Sequence, residues 1–130
     1  MANEAVCIEA PRIIKRYTVE NAIAIAKGTI LELAGDNKAA ASSGAGLFAG
    51  IAVEEKTAGD GIVEIGAAID GVWDLTATAT PITLGGMVSL SGANLIKQAV
   101  EAETVTGAII GKALEAASAS EVIRVRLGAV

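Results

Sequence analysis

The residues able to do chemistry are few in this chain, and none stands in a pattern that chemistry requires. There is no histidine, which removes the usual general base, the commonest metal ligand and every Ser-His or Cys-His arrangement. The single cysteine, Cys7, lies among acids near the N-terminus and reads as structural or incidental rather than as a nucleophile. Carboxylates pair at Glu54-Glu55 and at Glu101 and Glu103, the kind of pair that glycoside hydrolysis uses. That reaction also wants an aromatic-lined cleft, and Tyr17, Phe48 and Trp73 are the only aromatics. Solvated surface charge is the better reading of these acids. Asp60 and Asp70 each precede a glycine, as turns require, and no calcium-loop spacing is present. The glycine-rich stretches ASSGAGLFAG and TLGGMVSLSG lack the lysine and the helix of a phosphate-binding loop. The expectation is a non-enzyme with no catalytic residue, no cofactor and no metal.

The elements that would carry such residues are as plain as the residues themselves. The chain has 130 residues, 52% of them hydrophobic, with 15 glycines and only 2% aromatics. A core built from Ala, Val, Ile and Leu is thin, since each small side chain removes little surface from water. Subunit contacts often complete such a core, a first indication of an oligomer. The net charge of -5 is spread without a basic patch, so no nucleic-acid partner is expected. No apolar run is long enough to span a membrane, so no membrane partner is expected either. The opening MANEAVCIEAPR carries early acids and no apolar core, unlike a secretory signal, and one cysteine suits a reducing compartment.

One stretch occurs twice. Gly28 to Asn37 reads GTILELAGDN and Gly85 to Asn94 reads GGMVSLSGAN, each an apolar strand running into a Gly/Asn turn. Three further matches follow the same order. Tyr17-Thr18-Val19 aligns with Trp73-Asp74-Leu75 at an offset of 56, Gly50 to Glu54 with Gly111 to Glu115 at 61, and Val63 to Ala67 with Val125 to Ala129 at 62. An internal duplication follows. It also settles the stretch from Ala108, which looks helical alone but shares its repeat position with β-branched Ile51 and Val53. The expected fold is all-β: a small barrel made of two repeats, about 13–67 and 69–129, related by a pseudo-twofold within a single β domain 13–130. Residues 1–12 precede the duplication and read as an extended N-terminal arm. Ala39 to Gly46 reads as a mobile loop. Tyr17 and Trp73, in matching places, read as plugs at either end of the barrel core.

These features together resemble the tailed-phage capsid cement family: small Ala/Gly-rich head decoration proteins, long catalogued as a domain of unknown function. The resembling residues are Ile30 to Leu33, Gly50 to Glu54, Asp70 to Trp73, Gly86 to Leu90, Gly111 to Glu115 and Arg124 to Leu127. The resemblance implies a compact β-barrel or β-tulip, synthesised in the host cytoplasm and bound to the outer capsid surface of the virion. It implies a homotrimer that clamps neighbouring major capsid proteins. It implies no site residue, because the family has no catalytic set to carry over. The arm, with Val6 and Ile8 alternating, suits addition to a sheet edge, so Asn3, Glu4, Val6, Ile8, Pro11 and Arg12 are the candidate capsid contacts. Two other readings stand beside it. One is a small-ligand or glycan-binding barrel of a phage fibre or tail, which needs an exposed aromatic. The other is a biotinyl- or lipoyl-type carrier, for which Lys38 after the first turn is the candidate lysine.

Overall fold

The structure, a computed structural model, describes residues 3–128. Residues 1, 2, 129 and 130, at the ends of the expected arm and second repeat, lie outside the described residues. The chain is all-β, and each repeat closes a five-stranded barrel of its own. The expectation of one barrel shared by two half-repeats is corrected in this respect. Barrel one is formed by β2 (Ile14–Thr18), β3 (Ile30–Gly35), β4 (Lys38–Ala41), β5 (Phe48–Ala52) and β6 (Glu64–Ala68). Barrel two repeats this with β7 (Val72–Ala77), β8 (Met87–Leu90), β9 (Leu95–Gln98), β10 (Ile109–Ala113) and β11 (Val122–Leu127). In each, the first strand closes the barrel by a parallel pairing, β2 on β4 and β7 on β9, and every other pairing is antiparallel. The arm supplies a further strand, β1 (Val6–Glu9), which lies on β7.

The registers give the duplication residue by residue. Leu31 pairs with Gly50 as Val88 pairs with Gly111, and both pairs sit at a bulge. This confirms the spacing of 57 between Gly28 and Gly85 and the offset of 61. Tyr17 pairs with Ile65 as Leu75 pairs with Ile123, so β2 and β6 match β7 and β11 at an offset of 58. The offsets of 56 and 62 are therefore corrected: Tyr17 corresponds to Leu75, and the residue corresponding to Trp73 is Lys15. The slips, two residues for the offset of 56 and four for that of 62, are both even, so side chains stay on the same face of a strand and the pattern tolerates them. The repeats differ in length at three places. Barrel two loses one residue between β7 and β8, gains four around a 3₁₀ helix, Glu101–Val105, between β9 and β10, and loses three between β10 and β11.

The same interior is filled differently in the two barrels. In barrel one Tyr17 is surrounded by small residues, Ala39 and Ala49 among them, and its hydroxyl donates to the Ala49 carbonyl at 2.7 Å. In barrel two the matching set is Leu75, Ile96 and Ile110. One large ring with two alanines is exchanged for three aliphatic side chains, as close packing demands. This also explains β4. The run from Ala39, expected as a mobile loop, forms a strand up to Ala41, because it bonds to β3 and β2 and buries Ala39 in one cluster with the Tyr17 ring.

The barrels meet through non-equivalent surfaces. Ile30, Ile51 and Ala68 on the outer wall of barrel one are fully buried in one cluster with Trp73, Leu75 and the core of barrel two. Their counterparts Met87 and Lys112 are half-buried and Arg126 is exposed. The barrels join head to tail, and not about the local twofold expected from the repeat. The bolt between them is Asn94, at the β8–β9 turn with a φ of 59°. Its side-chain oxygen accepts from Ile30 N–H at 2.8 Å, and its own N–H donates to Ser42 Oγ at 3.1 Å.

Candidate functional site

The arm is the strand outside the two duplicated barrels among the described residues, and its position follows from backbone chemistry. Val6 stands opposite Asp74, Cys7 opposite Trp73 and Glu9 opposite Val72, with a bulge at Ile8. Ala5 is buried and donates its N–H to the Gly28 carbonyl at 2.8 Å. Two glycines form the seat. A Cβ on Gly28 would stand 2.7 Å from the Ala5 carbonyl oxygen, and one on Gly71 the same distance from that of Glu9. Both have positive φ, 90° and 95°, a conformation that favours glycine. The arm ends where Arg12 and Ile13 N–H donate to the Asp70 carboxylate at 2.9 and 3.1 Å.

Of the candidate contacts, Asn3 and Arg12 are exposed, Val6 is 59% exposed, and Glu4, Ile8 and Pro11 are half-buried. The arm is thus a docked edge strand: one side is bonded to β7, and among the described residues no strand lies on its other side. Sequence reasoning singled out the arm but missed the seat. Gly28 leads a repeated stretch, as Gly85 does, yet a Cβ on Gly85 meets nothing nearer than Lys112 Cε at 3.7 Å. Nothing local separates the glycine that holds the arm from its copy.

The two candidate plugs are both buried. Tyr17 lies inside barrel one with the Lys15 ammonium 5.0 Å from its ring centre, and burial raises its hydroxyl pKa. Trp73 sits where barrel two meets barrel one and the arm, its indole N–H donating to the Asp70 carbonyl at 3.0 Å. It is 4% exposed and lines a cavity of about 430 Å³ with Ala5, Val6, Cys7 and Gly28. Lys38, the candidate carrier lysine, is the first residue of β4 and is ion-paired to Glu20, whose carboxyl is held below its ordinary pKa by that partner.

Several carboxylates bond to the fold, and not all of them are simply solvated. Burial alone pushes the Glu103 carboxyl up, yet the Lys97 ammonium, the Val100 N–H and the Ser89 hydroxyl outweigh it and hold it below the ordinary range. The expectation of solvated charge at Glu101 and Glu103 is corrected for Glu103, which fastens the 3₁₀ helix to β8 and β9. Glu54 accepts from Gly66 N–H at 2.6 Å and Glu55 from Lys27 N–H at 2.8 Å. Lys56 is buried inside a loop cage, its ammonium donating to the carbonyls of Asn21 and Thr57 and to the Asp60 carboxylate at 2.7–3.0 Å. Asp60 lies below its ordinary pKa, first because Ile62 N–H donates to it and then through Lys56 and Thr57. Among the described residues no three His, Cys, Asp or Glu side chains are placed to hold a metal ion. No protein-family model and no curated protein matches the chain.

Proposed function

We propose that this protein is a structural cement protein that binds the outer surface of a tailed-phage head and bridges major capsid proteins. The observation that carries the reading is the arm: a short edge strand, seated on a closed barrel, with no strand among the described residues along the other side of Val6–Glu9. Such an edge can continue into a sheet of a neighbouring protein, main-chain bonds supplying affinity and exposed Val6 supplying a side-chain contact. The body supports the same reading. Two barrels bolted head to tail, with the carboxylates of Glu20, Asp60 and Glu103 engaged in ion pairs and hydrogen bonds within the fold, suit a spacer better than a reaction vessel. Weak contacts of this kind become strong when repeated over a lattice. The proposed partners are the major capsid protein and two further copies of this chain in a homotrimer.

Purified protein incubated with expanded, undecorated heads of the matching phage tests the proposal. Co-sedimentation with the heads, and a rise in their resistance to heat, are expected. Removal of residues 1–12 is expected to leave the barrels folded and to abolish most of the binding.

A further inference from the structure

The two barrels are copies, but only one of them has its first strand covered. On β7, one edge is shared: β9 pairs with Thr76 and Ala77, and β1 takes Val72 to Asp74. On β2, among the described residues, the matching edge pairs with β4 only at Thr18, and no strand lies along Ile14 to Arg16. The direction of the free groups follows from the ladder. Val19 N–H donates to the Val63 carbonyl and Ile69 N–H to the Ile13 carbonyl, so odd-numbered residues of β2 face β6. The peptide groups of Ile14 and Arg16 therefore face outward. Among the described residues the Arg16 carbonyl receives only the ammonium of Lys15, at 3.0 Å. The difference shows in exposure. Val72 is 8% exposed under the arm, whereas its counterpart Ile14 is 46% exposed.

We propose that this edge of barrel one is a strand-acceptor site, taking an extended, acidic segment of another protein antiparallel to Ile14–Arg16. The arm on β7 is the template, since the same fold accepts a strand there in the matching register. The chain's own strands are poor occupants. A second copy's β1 is committed to its own β7, and moving it would uncover Trp73 there without net gain. Two β2 edges pairing about their centres would set Lys15 opposite Lys15, and like charges directly opposite are destabilising. A foreign strand is left, and its charge follows from what it would face. Arg16 is already paired with Glu54 at 3.3 Å and Glu64 at 3.4 Å, while Lys15 has no carboxylate partner among the described residues. An acid opposite Lys15, the place Cys7 takes opposite Trp73, completes the site.

The test uses the full chain and a synthetic peptide, Asn-Glu-Ala-Val-Glu-Ile-Glu, which is the arm sequence with glutamate in the Cys7 position. Amide exchange at Ile14 and Arg16 is expected to slow by about tenfold or more in millimolar peptide, with β1 still protected. A peptide with lysine in that position is expected to give no such protection. In the chain, Arg16→Pro removes the outward N–H without touching the β6-facing bonds and should abolish binding, while Arg16→Ala, which loses only the side chain, should retain it. No added protection at Ile14 and Arg16 would overturn the proposal, as would protection gained only by displacing β1 from β7. The site stands apart from capsid attachment: peptide binding needs no heads, so either reading can fail while the other survives.

Discussion

At the scale of single residues, two asparagines show how far local pattern reaches. Asn37 and Asn94 end the two copies of one motif, and both adopt positive φ, 53° and 59°. Their Gly/Asn turn chemistry was legible in the sequence. Their roles were not, because the role depends on what lies across the turn. Asn94 is fully buried and its side chain accepts from Ile30 N–H, whereas Asn37 is exposed and its side chain meets the Lys15 ammonium at 3.5 Å. Glycine keeps the backbone conformation and removes the side chain. Asn94→Gly should lower unfolding free energy by about 1–3 kcal/mol, the cost of a buried donor left without its partner. Asn37→Gly should stay within about 0.5 kcal/mol of the parent. Urea unfolding of both variants checks the pair.

Charge at this scale gives a pH dependence whose sign is fixed. Asp60, Glu20 and Glu103 all have lowered folded-state pKa values. Their stabilisation is present above the unfolded carboxylate range of about 4 and is lost as pH falls through the lower folded values. With no histidine to titrate, urea midpoints should be flat between about pH 5 and 8 and then drop on acidification. A loss of stability centred near pH 6 would contradict this assignment.

At the scale of elements, the strands and their duplication could be read from order and alternation, and the registers of β3, β5, β8 and β10 agree with that reading. Two kinds of information were missing. A two-residue slip leaves the inward face unchanged, so Tyr17 was matched to Trp73 rather than to Leu75. An alanine-rich segment has no alternation to display, so β4 reads as a loop in sequence; its strand conformation comes from pairing with β3 and β2. The seat of the arm was equally silent. Gly28 and Gly85 both have positive φ, and alanine at either should carry a similar backbone penalty of about 1–2 kcal/mol. Only at Gly28 does the added methyl meet the arm. Gly28→Ala should therefore speed amide exchange at Ala5 well beyond any overall loss of stability, and Gly85→Ala should not. Equal effects in the two variants would mean that the arm is not held where its hydrogen bonds place it.

At the scale of the whole molecule, duplication followed by divergence has given one fold two exteriors. The wall that is apolar in barrel one, Ile30, Ile51 and Ala68, is covered by barrel two, and the matching wall of barrel two carries Met87, Lys112 and Arg126. A head-to-tail join leaves unlike ends, with the arm's edge at one barrel and the open β2 edge at the other. That asymmetry suits a bridge between two different neighbours better than it suits a symmetric clamp. None of it was visible before the barrels were placed, because a repeat in sequence says nothing about which copies of a surface meet.

The central claim is attachment to a phage head through the arm. The most direct measurement is sedimentation of the full chain, and of the chain lacking residues 1–12, with expanded heads of the matching phage. The account predicts that the full chain travels with the heads in fixed stoichiometry and that the truncated chain, still folded by circular dichroism, stays largely in the supernatant. A full chain that remains in the supernatant with every expanded head offered, and is monomeric in solution, would contradict it.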